Sequence, residues 1–558
     1  MEDKVIVDYV KQRYEQMNTA GTDWTTMIED VAKFVAPSKQ YIRTWSNPSQ
    51  DVIDGNLYDT TAIQSNDVLA AGSLAYMTPI SEVWFGVKQP SALNDDDEAK
   101  TWYAQCAEIM REEIGRSNFY LESHEVLLDR GWAGTSAMHC EMRSDGTLWY
   151  KHLDAGHFFI AEDNYGIVDT VAQCVKMSAR QAVMQFGIDH VSEKVRKIVT
   201  ENDGKKMDEL RDYIHITFPR PDAWRAKNSD GETLQDAENK PIADIYIDKE
   251  DKVLCKNGGF EEMPIFVTRF EKMRGEVYGI SPAMKCLPTI RELNYLSANL
   301  AAQGEKAVFP PMIVYDNMEG ALDVSAKGIN VIDSNRPDTA PKELQTFSQY
   351  TVGVDLQKRM QDVVKAAFYV DMFQTFTDST KRMATFEAMQ LADEKLVLFH
   401  PSEARYYTEF IGPMLQRVFA LLLRAKKFPP FPASVIDYAQ RMGSANAILP
   451  QITYQSKIAL AVQAVQMKST YQLLQLLPTV SALDPDVPVN FDFDKVVRGM
   501  GRTLNLPTEY IRSEADVKEI RAARQEQQQI QNELAMAQQG AAAAKDAASA
   551  GLLGRQEG

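Results

Sequence analysis

Between residues 23 and 35 the apolar side chains Trp24, Met27, Ile28, Val31, Phe34 and Val35 return every three or four positions, and Pro37 stops the pattern. That is the period of a helix with one buried face. A second helix is predicted over 62–76, where Ala62, Ala70, Ala71, Gly72, Ser73 and Ala75 leave room for a close neighbour. After Thr78-Pro79, the run Val83-Trp84-Phe85-Gly86-Val87 reads as a buried strand. Asp95-Asp96-Asp97-Glu98 then precedes an amphipathic helix carrying Trp102, Cys106, Ile109, Met110 and Ile114. Acid ahead of a helix favours its N-terminal dipole, so a solvated cap is a better reading than a divalent-ion site.

From His139 the period changes to two. Met138-His139-Cys140-Glu141-Met142 and Thr147-Leu148-Trp149-Tyr150 flank Ser144-Asp145-Gly146, a hairpin signal. Phe158-Phe159-Ile160 and Ile167-Val168-Asp169-Thr170-Val171 flank Asn164-Tyr165-Gly166, a second one. Short helices are expected at 178–186 and 192–200, and strands at 213–218, 242–247, 252–255 and 265–270. The span 1–275 is therefore mixed α and β, with helices leading and a hairpin-rich sheet behind.

The centre differs. Pro282 suits a first helical turn, and the helix continues through Leu293, Leu296 and Leu300 towards Lys306 before Pro310-Pro311 ends it. Residues 312–350 hold only short strand-like pieces, at 312–315 and 330–332, among Gly, Pro and Asp. A new helix is predicted over about 353–372, with Leu356, Met360, Val363, Val364, Ala367 and Phe368 on one face and Lys358, Gln361, Asp362 and Lys365 opposite. A helical hairpin with a long loop is one reading; an insert of about forty residues is uncommon unless it is a functional module. From 385 a long helical pattern (Met389, Ala392, Leu396, Phe399) meets Pro401 and resumes with Tyr406, Phe410, Met414, Val418 and Leu421. Pro401 and Gly412-Pro413 kink or interrupt it. Phe428-Pro429-Pro430-Phe431-Pro432 is a rigid linker or turn, helices are expected over 434–477, and 489–494 reads as a strand or extended segment. From Asp516 the Ala, Gln and charged residues give one last helix to about Gln539, before a low-complexity, disordered end.

At 558 residues the chain is too long for one core and predicts roughly three or four domains. Sixty basic against 78 acidic residues leave a net charge of −18, which argues against a surface built to grip nucleic acid. The same balance suits walls past which DNA slides, because acid repels phosphate; it equally suits plain solubility. Five scattered cysteines (Cys106, Cys140, Cys174, Cys255, Cys286) lack metal-site spacing and predict reduced thiols. Neither a signal peptide nor an apolar run of ~20 residues is legible, so a soluble, intracellular protein is expected.

Enzyme chemistry is not legible. There is no phosphate-binding loop and no dinucleotide turn, and the seven histidines lack zinc spacing. Gly134-Thr135-Ser136-Ala137 lacks the second glycine of a nucleophile elbow. Asp492 and Asp494 would share one face of a strand and could bind a metal, but a structural or solvated pair is the better reading. No catalytic residue, metal site or cofactor is predicted.

Several segments, in order, resemble the portal (head-to-tail connector) proteins of short-tailed, podovirus-type bacteriophages. They are Trp24 in a helix ending at Pro37, Leu57-Tyr58-Asp59-Thr60-Thr61-Ala62, Met77-Thr78-Pro79 with Trp84-Phe85, and the hairpins around Gly146 and Gly166. The run from Pro264 to Arg269 into Tyr278-Gly279-Ile280-Ser281-Pro282-Ala283 is the most recognisable; Glu292-Leu293-Asn294-Tyr295, Glu409-Phe410-Ile411-Gly412-Pro413-Met414-Leu415 and Val489-Asn490-Phe491-Asp492-Phe493-Asp494 follow. One departure lies between Met383 and Ala388, where this chain has Ala-Thr-Phe-Glu and the family tends to Thr-Ala-Thr-Glu.

The resemblance implies an α+β, predominantly helical subunit of a dodecameric ring. Its parts would be an α/β wing (1–280), a stem helix (281–305), a clip (306–351), a second stem helix (352–372) and a tunnel loop (373–385). A kinked long helix with helical wing and crown (386–500) and a C-terminal crown helix with a disordered tail (501–558) would follow. Thr377, Asp378, Ser379, Thr380, Lys381 and Arg382 would form the part of the loop that projects into the channel. The implied partners are double-stranded DNA, the major capsid and scaffolding proteins, terminase and a tail adaptor, with no direct membrane insertion. The implied locations are the capsid vertex of the virion and the host cytoplasm during assembly. A helical scaffold or adaptor that forms no ring is the alternative, and an unrecognised hydrolase a third.

Overall fold

The computed structural model describes residues 3–43, 53, 55, 57–93, 96–201, 206–227, 233–234, 236–308, 311–313, 342–343, 350–374, 399, 401–443, 448–454, 474–477, 491–503, 517–531, 536 and 542. Two compact units divide the chain, Met1–Ala459 and Leu460–Gly558.

The first unit opens with α1 (Asp3–Ala20), which the sequence reading did not identify. Its buried residues Ile6, Val7, Val10, Tyr14 and Met17 form one helical stripe. α2 (Thr22–Val35) and α3 (Thr61–Met77) follow at the predicted places. The close neighbour that α3 makes room for is Phe373, whose ring lies 2.3 Å from where a Cβ on Gly72 would be. After β1 (Phe85–Lys88), α4 (Asp97–Arg116) is capped by Asp96, whose Oδ1 accepts from the amides of Glu98 (2.9 Å) and Ala99 (3.3 Å). The acidic patch is thus a helix cap. α5 (Phe119–Ala133) was also missed, because it buries Ser123, Asp129 and Arg130 along with its apolar residues. A helix buried on several sides, with polar groups inside, gives no amphipathic signal.

Both predicted hairpins are present. β2 (Thr135–Met142) and β3 (Leu148–Leu153) turn at Gly146, and β4 (Phe158–Glu162) and β5 (Val168–Ser178) turn at Gly166. The two glycines have φ of 82° and 78°, a region that favours glycine over other residues. α6 (Ala179–Phe186) starts with a capping box between Ser178 and Gln181, and α7 (Glu193–Thr200) follows. β6 (Leu210–Pro219), β7 (Ile242–Asp248), β8 (Leu254–Phe260) and β9 (Ile265–Arg269) complete two antiparallel sheets, of order β4-β5-β6-β7-β8 and β3-β2-β9. On one face of the larger sheet Ala172, Cys174, Ile214, Ile216, Ala243, Ile245 and Ile247 pack under the α1 stripe. Each such large side chain contributes about 1.5–3 kcal/mol by leaving water. Met177, Tyr213 and Cys255 form a separate cluster with Ala179, Ala182 and Phe186 of α6 and with Val191 and Val195. All five cysteines are free and buried.

The segment from Pro401 runs back across the smaller sheet, and three buried arginines fasten it there. Arg130 of α5 lies between the rings of Phe270 (4.9 Å) and Tyr406 (5.5 Å) and donates to the carbonyl (2.7 Å) and hydroxyl (2.9 Å) of Ser402. Arg269 at the end of β9 reaches Glu409. Arg417 donates to the carbonyls of Cys140 (3.1 Å) and Glu262 (2.8 Å). The expected interruption at Gly412-Pro413 is a π-helical turn, Tyr407–Ile411, that runs directly into α11 (Gly412–Arg424). The proline has no N–H to give the regular ladder.

Two expectations further on are corrected. Helices were predicted over 434–477; after α12 (Ala433–Met442), residues Gln451–Tyr454 instead form a strand, here β14, antiparallel to β1 with Phe85 opposite Tyr454. Its four residues complete the edge of Phe85–Lys88, a tertiary pairing that overrides local pattern. In the second unit the expected extended segment at 489–494 is helical from its fifth residue, as α13 (Phe493–Thr503). Asp492 precedes that helix and its Oδ1 accepts from the Lys495 amide at 3.2 Å; Asp494 makes a two-pronged ion pair with Arg521 at 2.6 and 2.7 Å. These carboxylates therefore serve as cap and ion pair rather than sharing a strand face.

Candidate functional site

The segment Tyr278-Gly279-Ile280-Ser281-Pro282 connects the sheets to a long central helix, and each residue has a physical task. The Tyr278 ring stacks on Trp24 at 4.2 Å. Gly279 and Ile280 form β11 (Gly279–Ile280), antiparallel to β10 (Glu271–Lys272). Gly279 lies back to back with Gly134: a Cβ on Gly279 would sit 2.3 Å from the Gly134 carbonyl oxygen and 2.9 Å from the Cβ of Arg269. Its amide also donates to the Thr135 hydroxyl at 2.8 Å. Ser281 donates its hydroxyl to the Trp132 carbonyl (2.8 Å) and accepts from the Met284 amide (2.9 Å), which makes it a helix cap anchored to α5. Pro282 then opens α8 (Pro282–Val308). Gly279→Ala is expected to cost about 2–4 kcal/mol, because the clash is with backbone that cannot give way. Urea unfolding would measure the loss; a cost below about 0.5 kcal/mol would show that the corner can relax.

α8 pairs with α9 (Tyr350–Ala367). Gln357 donates to Ser297 at 2.9 Å, and a Cβ on Gly353 would meet Leu300 at 2.6 Å, so the helices run antiparallel and close together. The loop before α3 clamps both. Asn294 of α8 accepts from the amides of Tyr58 (2.7 Å) and Asp59 (3.2 Å), while Gln361 of α9 donates to Asp59 Oδ2 (3.0 Å). The other oxygen of Asp59 accepts from the Thr61 amide at the start of α3 (2.8 Å). Asp59, Asn294 and Gln361 lie in or beside segments that the sequence singles out, but their contact needed the fold.

Two details of α9 differ from the sequence reading. Gly353, Gln357, Met360, Gln361 and Val364 form the less exposed side, while Leu356 and Val363 face outward. The Asp59 clamp and the close approach at Leu300 favour small and amide side chains there over aliphatic ones. The helix also ends at Ala367 rather than near 372. Phe368 is buried, Tyr369 adopts φ 58°, and a short α10 (Val370–Gln374) begins again. Packing of the Tyr369 ring against Phe399 (5.3 Å) and Phe270 (6.4 Å) takes the place of helical continuity. In the insert, β12 (Met312–Ile313) pairs with β13 (Lys342–Glu343). The expected strand piece at 330–332 and all six loop candidates, Thr377, Asp378, Ser379, Thr380, Lys381 and Arg382, lie outside the described residues.

One group of potential metal ligands occurs among the described residues: Asp129, His152 and Asp154, with ligand atoms within 4.8 Å of one another. Asp129 is already engaged. Its Oδ1 accepts from Lys39 (2.8 Å) and Trp132 (2.8 Å), and Oδ2 accepts from the Ala155 amide (3.0 Å) with His152 Nε2 at 2.9 Å. Burial pushes the carboxyl up, but His152 and Lys39 outweigh it and hold Asp129 well below the usual carboxylate range. An ammonium thus occupies the place a cation would take, and the cluster reads as an internal ion-pair node. No helix among the described residues is long and apolar enough to cross a membrane.

Comparison with known proteins matches the chain over nearly its full length. The family model described as "Bacteriophage head to tail connecting protein" matches residues 7–511. A probable portal protein of Bordetella phage BPP-1 is 25% identical over 548 residues, covering 95% of this chain and 93% of the relative. The portal protein of Salmonella phage epsilon15 is 24% identical over 539 residues, with the same shares covered. The match takes in the two sheets, the corner at Gly279, the helix pair and the returning segment from Pro401 alike, and the chain belongs to the bacteriophage head to tail connecting proteins.

Proposed function

We propose that this chain is a portal subunit that closes with copies of itself into a ring, a dodecamer, at one vertex of the capsid. DNA enters and leaves through the channel; terminase docks during packaging and the tail adaptor afterwards. Assembly involves the major capsid and scaffolding proteins in the host cytoplasm, and the ring then stays in the virion. The protein acts as a conduit and attachment point, with the chemical work done by a separate motor. The α8–α9 pair serves as the stem, the 306–351 insert as the clip, and Thr377 to Arg382 as the loop in the channel.

The observation that carries this reading is the central helix pair. It is seated on a rigid two-sheet body by Ser281 and Pro282, clamped by Asp59, and bears large apolar side chains on its outer surface (Tyr295, Val352, Leu356 and Val363). Such side chains on a soluble chain are covered by assembly, and obligate interfaces of about 2,000 Å² or more are expected at each subunit boundary. Native mass measurement and particle imaging of the purified chain across a concentration series test the reading. Closed rings are the expected result; monomers and dimers alone would remove its main support.

A further inference from the structure

α8 and α9 form a two-helix layer with outer faces that no described part of the subunit covers. On α9, Val352, Leu356 and Val363 fall at i, i+4 and i+11, a single line along the helix, and are 57%, 43% and 53% exposed. Arg359, at i+7, stands in the same line and is exposed. The line is about 16 Å long at 1.5 Å per residue. On α8, Tyr295 is 71% exposed and Glu292, one turn earlier on the same side, is exposed too. These two lie on the side of α8 away from Ser297 and Leu300, which meet α9. The antiparallel register, with Ser297 opposite Gln357 and Leu300 opposite Gly353, sets Tyr295 level with Arg359 and Glu292 level with Gln361 and Asp362, within about one turn of Arg359.

The two outer faces differ and complement each other. One is an aliphatic line with a guanidinium in it; the other is an aromatic ring with a carboxylate beside it. A face pairing with a different face of the next copy is a heterologous contact, the kind that closes rings. Rotation about a ring axis brings residues of equal height together when the layer stands along that axis. We propose that the α9 face of one copy packs on the α8 face of the next. Tyr295 enters between Leu356 and Val363 beneath Arg359, and Glu292 pairs with that arginine. This rests on the ring reading above and names the residues that close it. Duplex DNA is a poor occupant of the same line, since three of its four side chains are aliphatic and only Arg359 could meet a phosphate.

The test is a charge swap in the full-length chain, read as the concentration at which half the subunits are in rings. Arg359→Glu and Glu292→Arg are each expected to raise it about tenfold or more, and the double variant to return it to within about threefold of the original. Leu356→Asn, which changes no charge, is expected to raise it comparably. All three positions are exposed in the subunit, so circular dichroism and thermal unfolding should stay unchanged and show that each variant folds. Indifference to the single reversals, or a double variant worse than either, overturns the proposal while leaving the ring reading intact. Indifference to Leu356→Asn together with altered DNA passage overturns it in favour of a channel-lining face. An original chain that forms no rings at any concentration overturns both.

Discussion

Arg269→Ala is expected to lower the unfolding free energy by about 3–5 kcal/mol, among the largest losses that a single substitution produces. The guanidinium side chain is 3% exposed, and the Glu162 and Glu409 carboxylates around it are 14% and 17% exposed. It contacts Glu162, donates to Glu409 Oε1 at 2.8 Å, and also reaches the carbonyls of Val277 (3.1 Å) and Gly166 (3.2 Å). Burial works against its charge, but Glu409 and Glu162 outweigh that and its pKa is raised. Alanine would leave two carboxylates in low-dielectric surroundings with part of their compensation gone. It would also free the turn at Gly166, the bend at Val277 and the helix bearing Glu409 from one another. Arg269→Lys keeps the charge but not the planar set of donors, and about 1–3 kcal/mol is the expected loss. Urea unfolding of the purified chain measures both. A cost under about 1 kcal/mol for the alanine variant would mean that water reaches the site and compensates the carboxylates.

Deleting residues 377–381 is expected to leave ring assembly unchanged while cutting DNA packaging or retention by about tenfold or more, the effect of adding ~1.4 kcal/mol to a barrier. The sequence there is short, polar and rich in hydroxyls, between two patterns with strongly apolar faces. Such a stretch has little to bury, so its removal takes little from the core. Lys381 and Arg382 divide into two roles that experiment separates. Brief phosphate contact would make the phenotype of Lys381→Ala and Arg382→Ala depend on salt, whereas capping of a helix would not. Packaging assays with the deletion, beside particle imaging of its rings, decide the matter. Loss of folding or of rings would make the segment structural and end its assignment to the channel.

Much of the fold was legible because it is local. The hairpins at Gly146 and Gly166, the cap at Asp96 and the helix start at Ser281-Pro282 each need only neighbours in sequence to form, and all lie where the pattern puts them. What was missed or misread depends on partners far along the chain. α5 hides its helical period because it buries Asp129 against Lys39 and Arg130 against Ser402, 272 residues away. Residues Gln451–Tyr454 become a strand because Phe85–Lys88 offers them an edge. The candidate site divides in the same way. Its helix pair was readable from periodicity, whereas the segment around Gly279 stood out by its resemblance to the family and not as a corner. The inward side of α9 was not, because the Asp59 clamp selects amides where a hydrophobic count expects aliphatics.

That clamp has a consequence in time. Asp59 and Gln361 are 302 residues apart in the chain, and Asp59 and Asn294 are 235 apart. At about 5–20 residues per second of synthesis, roughly 15–60 seconds separate the emergence of the loop from that of its last partner. Until then the loop has no α9 to hold, and α8 has no companion against which to set its register. A nascent chain therefore cannot present the paired surface before most of its length has left the ribosome, and contacts of such long range order late. Chains truncated by stalled translation before Tyr350 would lack the second face altogether. The wiring of one surface loop thereby protects a multi-copy assembly from incorporating unfinished members.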